Sequence, residues 1–348
     1  MPPRQPLILP AGGRLFQLDG WRAISIFLVL AAHLLPLGPK ALELNETAAR
    51  AGMSLFFTLS GYLITSFLLR RPEIKPFLIR RLCRILPLAW TAAVALLLIY
   101  GGSPGEWLSN LGFLINYQHE YIRPYNSHFW SLGVEIHFYL AVAMLVAIGG
   151  SRSLIILPLL ALAVTTLRAV DGVTVSIVTH LRVDEILAGA TLALLLAGKL
   201  PAGLALPLRV PPWLWLVLLA LTCSPLLGPM NYFRPYVAAA VVGSTLLQPD
   251  HPLVKPLGTK ILAYFAAVSY ALYVIHGPLR YGWFADEDTV TRYLIKRPAT
   301  IALTLVLAHL STFYWEAWWI KLGKRLTSRK ADPEAFPPLA DQGHTSTN

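Results

Sequence analysis

Apolar residues gather along this chain at 15–37, 52–69, 82–100, 128–148, 154–170, 175–197, 212–228, 235–248, 260–281 and 299–320, separated by short polar connections rich in Pro and Gly. A helix rising about 1.5 Å per residue needs about 20 residues to cross a hydrocarbon core ~30 Å thick. The runs therefore predict an all-α integral membrane protein, a polytopic bundle of about 10 transmembrane helices. An even number puts both termini on one side. With a cytoplasmic N-terminus, 19 of the 29 Lys and Arg fall inside, most densely from Arg70 to Arg84, so the positive-inside rule predicts both termini cytoplasmic. Residues 1–14 then form a cytoplasmic N-terminal segment, 15–320 the transmembrane domain and 321–348 a flexible cytoplasmic tail containing Pro333, Pro337 and Pro338. The first run lacks a small-residue cleavage signature and carries Asp19, Arg22 and His33, so it reads as a span and not a signal peptide. Residues 101–127, with Trp107 and a Tyr-rich stretch from Asn116 to Tyr125, read as an outer-face interfacial segment or half-helix.

Composition narrows the class. The chain is 55% hydrophobic and only 14% charged, with mean hydropathy +0.57, whereas about a quarter of the residues of a soluble domain are charged. A soluble enzyme and a disordered chain are excluded. The net charge of +11 sits between apolar runs, so it predicts membrane lipid as a partner and no nucleic acid. Cys83 and Cys223 both lie in apolar stretches and offer no disulfide framework. No internal repeat of the kind that builds inverted-repeat transporters is evident.

Charges inside spans are costly and usually face a bundle interior, which makes each a functional candidate. Arg22 and His33 are 11 residues apart, three helical turns plus about 20°, so they share one stripe of the first helix about 16 Å apart along its axis. The plainer reading has Arg22 snorkelling to the inner interface and His33 capping the outer end. Arg80, Arg81 and Arg84 open the third run as surface neighbours, a set suited to a multiply charged phosphate ligand. Topology alone also places Arg at an inner boundary. The fourth run opens at His128 and carries Trp130, Ser131, Glu135 and His137. Glu135 suits either a histidine partner elsewhere in the bundle or a structural ion pair. Arg182, Asp184 and Glu185 in the sixth run read as an internal Arg182–carboxylate pair, followed by Gly189 where helices could pack closely. In the ninth, Tyr270 and Tyr273 stack one turn apart below His276. The predicted topology sets His33, His276, Glu135, Arg182 and Asp184 at one depth in the outer half and Arg81 and Arg84 at the inner face. That pattern suggests a polar cavity with an anionic handle bound inside and chemistry further out.

Six segments together resemble the acyltransferase 3 family of integral membrane O-acyltransferases, which modify glycans and some small molecules. They are LDGWRA at 18–23 with His33, FFTLSGYLIT at 56–65, RRLCRILP at 80–87, FWSLGVE at 129–135, RVDEILAG at 182–189 and SYALYVIH at 269–276. The resemblance runs from about residue 15 to 320. It departs after Glu135, where the family often has a second Glu and then Gln; here Ile136 and His137 follow, and His137 has no assigned role. Tyr314 to Trp318 only loosely matches the family's terminal aromatic–Glu–Pro pattern.

The resemblance implies an acyl-CoA donor, most simply acetyl-CoA, entering from the cytoplasm with its phosphates on Arg80, Arg81 and Arg84. It implies His33 as catalytic base or acyl relay, Glu135 and Arg22 as its companions, and no metal. Trp130, Ser131, Arg182, Asp184, Tyr270, Tyr273 and His276 would shape the cavity or handle the acceptor. The expected reaction is transfer of an acyl group to a sugar hydroxyl of a surface or lipid-linked glycan, with His33 oriented by Glu135 or another carboxylate, in a bacterial inner (plasma) membrane. Acylation of a macrolide-like small molecule and proton-coupled secondary transport are the rival readings. Some relatives carry a fused extracytoplasmic domain that completes the transfer; here the chain would act directly or hand over to a separate extracytoplasmic transfer protein.

Overall fold

A computed structural model describes residues 15–281 and 289–328; the N-terminal segment 1–14 and most of the expected tail lie outside the described residues. Every regular element among the described residues is helical. The helices are α1 (Phe16–Leu34), α2 (Leu44–Arg70), α3 (Ile74–Tyr100), α4 (Pro104–Leu111), α5 (Trp130–Gly149), α6 (Leu157–Val170), α7 (Asp184–Leu196), α8 (Pro212–Cys223), α9 (Arg234–Leu247), α10 (Lys260–Tyr281), α11 (Arg297–Leu310) and α12 (Ala317–Thr327), the last two joined by a π-helical stretch Ser311–Glu316.

Each apolar run holds a helix, but lengths differ from expectation. Five helical runs are long and apolar enough to cross a bilayer, or up to 6 if the bent pair Ala202–Arg209 and Pro212–Cys223 counts as one span. The expected ten is a larger number for physical reasons. Helices α6 to α9 have 12 to 14 residues each, about 18–21 Å of rise, and α1 is diluted by Gln17, Asp19, Arg22, Ser25 and His33. The sixth run becomes α-helical only at Asp184, after a 3₁₀ turn at Thr179–Leu181; just before the run, residues 173 and 174 offer their carbonyls to Arg168, whose Nε donates to Val173 O at 3.3 Å and whose Nη2 donates to Thr174 O. The stretch Ser127–Val170 is one apolar run of 44 residues, yet it turns back on itself at Gly149 and Gly150, where Ser153 Oγ donates to Leu145 O at 2.8 Å. In the 101–127 connection the expected half-helix is α4, started by a capping box in which Ser103 and Glu106 satisfy each other's backbone N–H groups, with Pro104 in the first turn.

The bundle is inverted in polarity relative to a soluble one. Ile148 and Val170 are 83% and 78% exposed while Arg168, Asp184, Glu185 and Arg234 are all at 0%, the arrangement an apolar solvent selects. The tightest seam joins α2 to α7. A Cβ built on Gly61 would lie 1.8 Å from Ile186 O, and one on Gly189 would lie 2.0 Å from Thr58 O. Two backbones meet there because neither glycine has a side chain. Helix α1 is held against α9 by Trp21, whose Nε1 donates to Thr245 Oγ1 at 2.9 Å.

Candidate functional site

Arg22 leaves Trp21's side of α1 and enters a small cavity of about 40 Å³ between α1, α2, α3, α5 and α10. Arg81 and Arg84 from α3, Ser60 from α2, Glu135 and Tyr139 from α5 and Tyr270 from α10 complete its polar wall. The Glu135 carboxylate accepts from Ser60 Oγ and from Tyr139 OH. Arg81 lies over the Tyr139 ring, 5.8 Å from its centroid, and Tyr270 OH donates to Ile85 O at 2.6 Å. Arg22 is within Coulombic reach of Arg81, Arg84, Asp19 and Glu135. The three guanidiniums outnumber the carboxylate lining the same cavity, so the space favours an anion.

This geometry sorts the expected residues. Arg81 and Arg84 reach the cavity, whereas Arg80 turns away, its Nε donating to Thr327 Oγ1 of α12 at 2.7 Å. Glu135, expected at the depth of the histidines, shares the cavity of the arginines instead. The i, i+4 spacing of Glu135 and Tyr139 aims both groups into that cavity.

A second polar group lies three turns along α1. His33 Nδ1 is 2.9 Å from His276 Nε2, with ring planes at 11° and centroids 5.1 Å apart, the signature of two imidazoles bonded edge to edge in one plane. His33 therefore takes a histidine as its partner where a carboxylate was expected. His276 is fully buried, and its Nδ1 is 2.6 Å from Tyr273 O and 3.2 Å from Leu272 O. Ser131 Oγ is 2.6 Å from Tyr273 OH, and Tyr273 OH donates to His128 O, also at 2.6 Å. His128, given no role from sequence, packs edge-on against His276 with centroids 5.2 Å apart. Its place follows from the next two residues of α10. A Cβ on Gly277 would strike the His128 ring at 2.3 Å. Pro278 has no N–H for the Val274 carbonyl, and His128 Nε2 donates to that carbonyl at 3.0 Å.

Arg168, Arg182, Asp184, Glu185 and Arg234 form a further set of buried ion pairs. Asp184 pairs with Arg168. Glu185 pairs with Arg182 at 3.3 Å and Arg234 at 2.7 Å, and accepts from Ser54 Oγ at 2.7 Å. The Arg182–carboxylate pair is thus with Glu185, not with its neighbour Asp184. Arg182 also lies 5.4 Å from the Trp130 ring centroid and 5.8 Å from that of Phe57, so Trp130 packs against a buried guanidinium. Arg168 and Arg234 were overlooked, although a charge within or at the edge of an apolar run marked each of them. His137 faces away from both groups and bonds Thr179 Oγ1 at 2.8 Å. No group of three His, Cys, Asp or Glu side chains among the described residues is placed to hold a metal ion.

Comparison with known proteins agrees with the six motifs. A family model described as an acyltransferase domain matches residues 15–313. The chain is 26% identical over 311 residues to a Bacillus subtilis protein named "Putative peptidoglycan O-acetyltransferase YrhL", covering 75% of this chain and 48% of that one. It is 32% identical over 133 residues to "Putative O-acetyltransferase SACOL0978" of Staphylococcus aureus, covering 35% and 19%. It is 30% identical over 150 residues to "Peptidoglycan O-acetyltransferase OatA" of Listeria monocytogenes, covering 35% and 22%. The chain spans about half or less of the length of these relatives. No solved structure matches it significantly. The match across residues 15–313 carries the conclusion that the chain belongs to the acyltransferase 3 family.

Proposed function

We propose that the protein transfers an acetyl group from acetyl-CoA to a hydroxyl of a glycan, using the arginine cavity for the donor and His33 for the chemistry. One observation carries this reading: the anion-favouring cavity and the paired histidine sit on one stripe of α1, at Arg22 and His33. The names of the relatives support a glycan acceptor such as peptidoglycan and an acetyl group. In the arrangement proposed, ten membrane-embedded segments leave both termini cytoplasmic. The nucleotide phosphates then reach Arg22, Arg81 and Arg84 from inside, and the pantetheine arm extends outward along α1.

The chemistry follows from the groups. The donor is already activated as a thioester. His33 takes the proton of the acceptor hydroxyl as its oxygen bonds to the thioester carbon; the tetrahedral adduct collapses, the carbon–sulfur bond breaks and the thiolate recovers the proton. General base catalysis of this kind supplies roughly 10² to 10⁴ in rate, and holding hydroxyl and thioester together supplies much of the rest. Glu135, held by Ser60 and Tyr139, balances the arginines in the donor cavity. The test is CoA release and acetyl incorporation into a glycan fragment by the protein in proteoliposomes. His33→Ala should abolish both while acetyl-CoA still protects the protein against thermal unfolding. Acetyl transfer by His33→Ala at a rate near that of the wild type would refute the reading.

A further inference from the structure

The His33 side chain can act as a base only if its free lone pair points at the acceptor, and an imidazole has two tautomers. The surroundings of His276 select one. A backbone carbonyl accepts and never donates. His276 Nδ1, 2.6 Å from Tyr273 O and 3.2 Å from Leu272 O, therefore carries a proton. In a neutral His276 the other nitrogen, Nε2, is then a lone pair. That lone pair faces His33 Nδ1 at 2.9 Å, so His33 Nδ1 bears the donated proton and His33 Nε2 is the free base.

We propose that His276 is the positioning residue of the reaction, a neutral imidazole that fixes the tautomer and ring plane of His33 as a carboxylate does in other acyl-transfer sites. This rests on the reading of His33 as the base. The geometry is suited to it. Edge-to-edge bonding at 11° between ring planes leaves His33 no freedom to flip without losing the bond. His276 is fully buried and wedged by His128, which Gly277 admits and the Val274 carbonyl anchors. A neutral partner also differs from a carboxylate in effect. It orients His33 without holding it as a resting ion pair, which would occupy the lone pair needed for the acceptor proton. When His33 Nε2 gains that proton, the proton on its Nδ1 is shared with His276 Nε2, and the charge spreads over two rings toward the Tyr273 and Leu272 carbonyls. The proton returns from Nε2 to the departing thiolate, so the pair ends as it began.

The experiment compares His276→Ala, His276→Gln and His33→Ala in proteoliposomes with acetyl-CoA and a glycan acceptor. A Gln side-chain oxygen can accept from His33 Nδ1–H, whereas Ala leaves that donor unmatched. His276→Ala should lower kcat by about 10²-fold or more, as losing an orienting partner does, with KM for acetyl-CoA within about threefold of wild type. His276→Gln should recover at least about tenfold of that loss. Equal loss in the two variants, a kcat for His276→Ala within threefold of wild type, or a loss confined to KM would overturn the proposal. Full activity in His33→Ala would instead overturn the underlying role of His33, so the two failures are distinguishable. Should His276→Ala fail to fold, ¹⁵N-histidine spectra of the wild-type protein decide, with His33 assigned by difference from His33→Ala: the Nδ1–H tautomer supports the proposal and the Nε2–H tautomer overturns it.

Discussion

Placing a methyl group at Gly61 tests the seam on which both polar groups depend. The new Cβ would begin 1.8 Å from Ile186 O, against an ordinary contact of 3.4 Å or more, so α2 and α7 must separate by roughly 1.5 Å or bend. The obstructing atom is a helix carbonyl already committed to its own hydrogen bond and unable to rotate aside. Overpacking of this kind costs about 1–3 kcal/mol, and a rigid backbone obstacle belongs at the upper end. About 3 kcal/mol shifts the folded-to-unfolded ratio roughly a hundredfold and lowers Tm by about 4–10 °C for a chain of this size. Ser60, which donates to Glu135, is the preceding residue, so donor-cavity geometry should suffer as well. The assay is thermal unfolding in detergent followed by tryptophan fluorescence, with Gly203→Ala as the reference because no atom lies within 4 Å of its added Cβ. Gly61→Ala and Gly189→Ala should both fall well below Gly203→Ala. Unfolding of all three within a degree of wild type would refute the close-packed seam.

Three further outcomes are expected. Arg84→Ala should raise KM for acetyl-CoA at least about tenfold with kcat at saturation changed far less; an unchanged donor dependence in initial-rate measurements would remove Arg84 from the donor site. Asp184→Asn leaves Arg168 without its charge partner in a fully buried position and should cost about 3–5 kcal/mol, visible as loss of monodisperse protein on gel filtration in mild detergent; a stable, monodisperse variant would contradict the pairing. In the 101–127 connection, the Ser103 backbone N–H donates to Glu106 and holds its carboxyl below the ordinary value of 4.5. A depressed carboxyl stabilises the folded state above that value, and the contribution is lost as pH falls through the folded one. Proteolysis of the 101–127 connection should thus increase on acidification in the wild type and be pH-independent in Glu106→Gln.

Much of this was legible from residue order, and the failures have physical causes. Apolar blocks located every long helix, though not the short α4, and a charge in an apolar block often marked a buried group, as at Glu135, Arg182 and Asp184. Block length says less about crossing, because short helices like α7 are buried by protein as readily as by lipid. Sequence also could not assign partners. Arg182 with Asp184 looked as plausible as Arg182 with Glu185; Arg168 and Arg234, distant in the chain, decide it. The same holds for His33, whose partner lies 243 residues away. Arg80 was grouped with its neighbours by helical spacing, yet a residue one position along points about 100° away, enough to send it to Thr327.

Helix α1 carries both the cavity arginine and the paired histidine on one unbroken rod. In the proposed reaction it acts as a length standard for the donor. The separation between Arg22 and the reacting residue is set by peptide geometry, about 16 Å of axial rise, and not by how two mobile elements meet. Rearrangements that open or close the bundle carry both marks together and leave that interval unaltered. The gauge can be recut only by changing α1 itself. One inserted residue between Arg22 and His33 would add about 1.5 Å and swing His33 by about 100° out of register with His276. Four would add about 6 Å with only about 40° of rotation, a graded series for matching donors of different arm length.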